Sequence, residues 1–178
     1  MRYLDRHNVV CPDYFALTII ELGTNAHWQM KYYYQCCRVF QNTVVSHVTA
    51  RVTGQTYHPP ENQGNNANTM LYLDRQYVKC DPYHQLMRRF QMLTTAGSIW
   101  YHVECLTPAA GYSLTVWQTA TLPFDTPTKG VHELGGQRIH CNNNGQTTGR
   151  DMGFLVEWTL EHVDQGRSRF VFWCASIN

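Results

Sequence analysis

"YLDRHNVVC" spans Tyr3 to Cys11 and "YLDRQYVKC" spans Tyr72 to Cys80. The phrase is written twice, and its repetition decides the fold. Slid on itself by 69 positions, the chain places Tyr3, Leu4, Asp5, Arg6, Val9 and Cys11 on Tyr72, Leu73, Asp74, Arg75, Val78 and Cys80. The match runs on without a gap: Tyr14 meets Tyr83, Leu17 meets Leu86, Tyr32 meets Tyr101 and Cys36 meets Cys105. An internal duplication of this kind predicts a fold assembled from like units.

A third, worn copy follows. "ELGGQRIHC" ends at Cys141 and "SRFVFWC" at Cys174, with Leu134 seven residues before its cysteine as Leu4 and Leu73 are. Gly135 and Gly136 replace the Asp-Arg pair, and the cysteines stand 33 apart instead of 25. The extra eight residues fall mostly in "NNNGQTTGRDMG", a polar, glycine-broken loop. The reading is a single domain of three units, at about residues 1–58, 69–122 and 131–178.

Hydrophobic periodicity assigns the elements. Met30, Tyr32, Tyr34 and Cys36 alternate with Lys31, Tyr33 and Gln35; Ile99, Tyr101, Val103 and Cys105 alternate with Trp100, His102 and Glu104. Phe170, Phe172 and Cys174 repeat the pattern, and so do Phe154, Val156, Trp158 and Leu160. A period of two marks half-buried strands with the cysteine facing in. "FALTIIEL" and "LMRRFQML" take the place of the 154–160 strand less cleanly, and "TVVSHVTARVT" and "GYSLTVWQTA" are rich in β-branched residues. No long segment has a helical period with caps. The expected fold class is all-β. Each unit has about four antiparallel strands, arranged as a β-prism of three small sheets with pseudo-threefold symmetry; a β-trefoil is the runner-up. Tyr32, Tyr101 and Phe170, each four before a cysteine, are expected to point inward around that axis. Four residues follow Cys174, so the third unit is expected to lack a fourth strand and to leave an unpaired edge.

Six of the seven cysteines form three equivalent pairs, which predicts disulfides Cys11–Cys36, Cys80–Cys105 and Cys141–Cys174 and an extracellular or secreted setting. Cys37 is left over, as a free thiol or an intermolecular bridge. No C-x-x-C, H-x-x-x-H, H-E-x-x-H or G-x-S-x-G occurs among these cysteines and nine histidines, so neither a metal, a cofactor nor a catalytic residue is expected. Net charge is +1, which gives no footprint for nucleic acid. No apolar run reaches the length of a membrane span, and "MRYLDRHNVV" has no signal-peptide core. The Asp5-Arg6 and Asp74-Arg75 pairs are read as structural. His27 and Trp28, in "GTNAHWQM" at a hairpin tip, are the candidate ligand contacts, as a tryptophan on a loop tip suits sugar, lipid or protein.

The phrase L-D-R-H-x-V-x-C with Y-x-Y-x-C, here Leu4–Cys11 and Tyr32–Cys36, resembles repeat modules of secreted and surface proteins of invertebrates and protists. In layout the chain is similar to the C-terminal β-domain of apicomplexan perforin-like proteins and, in architecture only, to the vitelline membrane outer layer protein. The first resemblance implies three disulfide-bearing units in a prism and attachment to membrane lipid. The functional expectation is a non-catalytic extracellular assembly or adhesion module. It would bind protein, through self-association or a segment of a parent protein, or a surface glycan. A membrane-targeting domain of a pore-forming or surface protein is the alternative.

Overall fold

The computed structural model describes residues 7–24, 30–39, 47–53, 56–57, 73, 76–95, 98–127, 131–141, 153–164 and 166–178. The Asp5-Arg6 and Asp74-Arg75 pairs, His27, Trp28 and the loops at 58–69 and 142–152 lie outside those residues.

The first unit contributes β1 (Asn8–Val10), β2 (Phe15–Thr24), β3 (Met30–Arg38), β4 (His47–Val52) and the short β5 (Thr56–Tyr57). The second contributes β6 (Val78–Lys79), β7 (Leu86–Thr95), β8 (Ser98–Thr107), β9 (Leu114–Ala120) and β10 (Phe124–Asp125). A 3-10 turn at Val131–Leu134 leads into the third unit: β11 (Arg138–His140), β12 (Phe154–Asp164) and β13 (Arg167–Ile177). The described chain is all-β, in three antiparallel sheets, none of which closes on itself.

The sheets are not the units. Each sheet is built on one unit's central hairpin, but its flanking strands come from the preceding unit. The β7–β8 hairpin is flanked by β1 and β4, and the β12–β13 hairpin by β6 and β9. The β2–β3 hairpin receives β11 from the third unit. The register repeats three times: Val9 opposes Phe90, Val78 opposes Trp158, and Ile139 opposes Ile20. The amide of each unit's first half-cystine continues the exchange. Cys11 N donates to Arg88 O (3.0 Å), Cys80 N to Val156 O (2.9 Å) and Cys141 N to Thr18 O (2.9 Å). Each unit thus hands its first strand to the next, and the third hands its own back to the first.

The acceptors Thr18, Arg88 and Val156 share one more property: each sits at a β-bulge, where the pairing of second and third strands skips a residue. A bulge bends its strand and reverses the alternation on either side of it. In β12 the four residues read as inward, Phe154, Val156, Trp158 and Leu160, are all buried, but the bulge at Val156 breaks their alternation, so that Leu155 is buried as well and opposes Cys174.

The register also corrects the ungapped match. Leu17 opposes Cys36 and Met87 opposes Cys105, so Leu17 corresponds to Met87, not Leu86. The second unit has one more residue before that strand and one fewer in its hairpin, and the two changes cancel to keep the cysteine spacing at 25. In the third unit Leu155 lies fourteen residues after Cys141, against six from Cys11 to Leu17. All eight extra residues therefore precede β12.

Strands β2, β7 and β12 each pack against the other two. Where they meet, the equivalent Ile20, Phe90 and Trp158 are all buried. The Phe90 and Trp158 rings lie edge-to-face at 5.5 Å. Around them stand the third-strand aromatics: Tyr32 is 5.2 Å from Phe90, Tyr101 is 5.4 Å from Trp158, and Phe170 is 6.0 Å from Trp158. Edge-to-face aromatic pairs add to the large apolar area that such rings bury. Burial pushes the Tyr101 and Tyr32 phenols well above their ordinary value, so both remain neutral.

Three disulfides, Cys11–Cys36, Cys80–Cys105 and Cys141–Cys174, span Cα separations of 5.7, 5.6 and 5.5 Å. Each ties a hairpin to the strand its unit has sent into the neighbouring sheet. Loops of this size give about 3–4 kcal/mol per bridge in the chain-entropy account. Gly153 marks a tight approach beside the third: a Cβ there would run into Cys141 O and the Trp117 ring.

Candidate functional site: the open edge of β3

Among the described residues the exchange supplies two fourth strands for three hairpins: β4 covers β8, β9 covers β13, and β3 pairs only with β2. The unpaired edge expected on the third unit is thus on the first. The third unit's own hairpin is covered, because the second unit supplies β9.

Equivalent positions show the effect. Two residues before the second half-cystine, Tyr34 is 41% exposed, Val103 is 0% and Phe172 is 4%. Cys36 and Cys37 are half-buried, whereas Cys105, Leu106, Cys174 and Ala175 are all buried. Tyr32 is half-buried while Tyr101 and Phe170 are buried.

Several contacts hold this edge extended. Thr18, the bulge residue of β2, donates its hydroxyl to Gln35 O (3.2 Å), and Tyr34 Oη donates to Val10 O (3.3 Å) at the end of β1. Tyr33 lies across Gly23, where a Cβ would collide with its ring, and Lys31 Nζ sits 4.2 Å from the centre of the same ring. Cys37 carries a free thiol, 3.8 Å from Thr18 Oγ1 and 4.0 Å from Gln35 Nε2. The edge is therefore aromatic and held in place by these contacts, with a thiol near one end. Chemically it can accept a strand; natural proteins usually cover such rows of free N–H and C=O groups.

A second concave surface lies on the outer side of the β12–β13 sheet. Tyr77, Gln118, Thr159, Glu161, His162, Arg169, Val171 and Trp173 line an open groove of about 430 Å³. Arg169 Nε donates to Glu161 Oε2 at 2.7 Å, and Ser168 Oγ lies 2.8 Å from His162 Nδ1. Aromatic walls beside planar polar groups suit the C–H faces and hydroxyls of a sugar ring.

Among the described residues no group of three or more His, Cys, Asp or Glu is placed to hold a metal ion. No described helix is long and apolar enough to cross a membrane. Alternation sets Tyr33 on the outward face, where it is exposed, but sets Tyr34 on the inward face like Val103 and Phe172, and there the structure differs: Tyr34 is exposed. Sequence reading overlooked the Tyr77–Trp173 groove, whose walls come from different units. The chain matches no protein-family model, no curated protein and no solved structure. What can be said of its kind is therefore that it is a disulfide-bonded, all-β, repeat-built chain with one hairpin left uncovered among the described residues.

Proposed function

We propose that the chain is a non-catalytic, extracellular assembly module of β-prism type, and that it assembles by adding a strand at β3. One observation carries this reading: among the described residues two of three equivalent hairpins are covered on the third-strand side, and the β2–β3 hairpin is not. The backbone groups of that edge are held in register by Thr18 and Tyr34. Strand addition to a preformed edge is a general mode of recognition, with main-chain hydrogen bonds supplying affinity. Disulfide bonding favours the extracellular setting.

Sedimentation tests the reading. At high concentration and without a better occupant, β3 edges pair with each other, so the unmodified chain forms a concentration-dependent dimer. Tyr34 shares the phase of Tyr32, and its N–H points to the open side. Tyr34→Pro removes that donor and spares the ladder to β2, since proline is tolerated where an edge strand's N–H faces outward. The variant is expected to be monomeric with its fold intact by circular dichroism. A strict monomer that also takes up no added β-strand peptide counts against assembly.

A second reading, adhesion to glycan, is favoured by the Tyr77–Trp173 groove. Quenching of tryptophan fluorescence by neutral oligosaccharides, lost in Trp173→Ala, would support it. The membrane-targeting alternative draws on the lipid attachment that the resemblance implies; failure to co-sediment with phosphatidylcholine–phosphatidylserine vesicles would remove it.

A further inference from the structure

We infer that β3 accepts one kind of occupant: an antiparallel strand of the chain's own fourth-strand type, supplied from outside its three units. A valine of that strand lies opposite Cys37 and a threonine closes on Tyr32. This rests on the assembly reading above and names its partner.

The two filled edges define the template. On β8, Val48 opposes Leu106 and Thr49 opposes Cys105. On β13, Val116 opposes Ala175 and Trp117 opposes Cys174. Each donor then ends in the same clasp. Thr53 N donates to Tyr101 O (2.9 Å), and Tyr101 N donates to Thr53 Oγ1 (2.8 Å). Thr121 N donates to Phe170 O (2.9 Å), and Phe170 N donates to Thr121 Oγ1 (3.0 Å). The donor segments Val48–Thr53, "VTARVT", and Val116–Thr121, "VWQTAT", agree only at their first and last residues. What the two acceptors share is therefore V-x-x-x-x-T.

Transferred by equivalence, Leu106 and Ala175 become Cys37, Cys105 and Cys174 become Cys36, and Tyr101 and Phe170 become Tyr32. The same acceptor groups stand on β3 in the same order, and no fourth strand meets them among the described residues. A second β3 is a poorer occupant. Its "MKYYYQCCR" offers neither the valine nor the threonine, and antiparallel pairing turns the Lys31 end of one strand toward the Arg38 end of the other. Because the clasped residues are hydrogen-bonded pairs, the position at Cys37 is a non-hydrogen-bonded pair, where cross-strand side chains come closest. The free thiol of Cys37 thus reports the register directly.

The test uses the whole chain and a fluorescent peptide copying residues 111–122. Saturable binding is expected, together with dissociation of any β3-paired dimer. A peptide with Thr121→Val should bind about fivefold more weakly, the loss of one net hydrogen bond. Register is read by thiol–disulfide exchange. A peptide with Val116→Cys is activated as a mixed disulfide with an aryl thiol. The Cys37 thiolate attacks the peptide sulfur, the aryl thiolate leaves, and a peptide–Cys37 disulfide remains. This adduct should form about tenfold or more faster than with cysteine at 115 or 117, whose side chains point to the other face. Cys37→Ser should give none. Equal rates at the three positions overturn the register and the inference. A chain that does not bind the peptide yet dimerises in a manner sensitive to Tyr34→Pro has a second copy as its occupant, and the inference fails while the assembly reading stands. Neither binding nor dimerisation overturns both.

Discussion

Strand β3 and its counterparts β8 and β13 have the same length class, the same cysteine, and an aromatic four residues before it. They differ in company. β8 and β13 run between two neighbours and bury nearly every second residue, whereas β3 has one neighbour among the described residues and presents Tyr33 at 51% exposure and Tyr34 at 41%. The sequence pattern of a strand therefore reports its potential to be buried. Whether that potential is met depends on a different part of the chain.

The sharpest way to break the comparison is at the position two before the half-cystine. Phe172→Ala empties a buried site and should cost about 3–5 kcal/mol in urea unfolding. Tyr34→Ala, at the equivalent exposed site, should cost about 1 kcal/mol or less. Equal losses would mean that β3 is covered as fully as β13.

One residue before the half-cystine stand Gln35, Glu104 and Trp173, and only the middle one is charged. Glu104 is 15% exposed and accepts from Arg88 (3.1 Å) and Arg89 (2.6 Å), while Arg88 also reaches Asp13 at 2.7 Å. This network joins the start of the first unit to the hairpin of the second. Glu104→Gln should cost about 1–2 kcal/mol, the value of a half-buried charge-assisted contact. High salt should reduce that cost only slightly if the cluster is shielded.

The threonine clasp is tested in the two filled sheets. Thr121→Val removes one accepted hydrogen bond and should cost about 1 kcal/mol. Thr53→Val should cost more, because Thr53 Oγ1 also donates to Gln76 Oε1 (2.6 Å), and Gln76 is buried. Among the described residues the same substitution has no counterpart to disturb at β3.

The smallest effect concerns pH. Burial raises the Glu157 carboxyl above its ordinary value, with Lys79 on the neighbouring strand pulling it back. A carboxyl raised in the folded state holds its proton longer there than in the unfolded chain. Stability should therefore fall as pH rises from the ordinary carboxylate value through the raised one, and then level off. Glu157→Gln should flatten that decline, giving a variant modestly more stable at pH 7 and unchanged at pH 3 by thermal melting.

Much of the local structure was legible. The duplicated phrase marks β1 and β6, alternation marks β3, β8 and β13, and β-branched content marks β4 and β9. The second strands read poorly for a reason now visible: Thr18, Arg88 and Val156 each interrupt the period of two at a bulge. Self-alignment hid the one-residue slip between Leu17 and Met87 because the hairpin turn compensates it. The exchange of strands was not legible, since the same four strands in the same order can flank their own hairpin or the next one. That ambiguity also misplaced the open edge. Its owner is set by which hairpin goes without a fourth strand, a property of the ring and not of the unit beside it.

The exchange of β1, β6 and β11 has one more consequence. A unit that gives away its outer strands cannot satisfy its own hairpin, so a unit cut free would be an incomplete monomer. Residues 70–127 taken alone carry a first strand, a hairpin and a fourth strand. Three copies could trade these around a circle as the three units do here, with each hairpin covered on both sides. Such a homotrimer is the architecture of this chain without its links, and it would have no uncovered strand. In that light the three units are a trimer fused end to end, and among the described residues β3 is the one third strand with no fourth strand beside it.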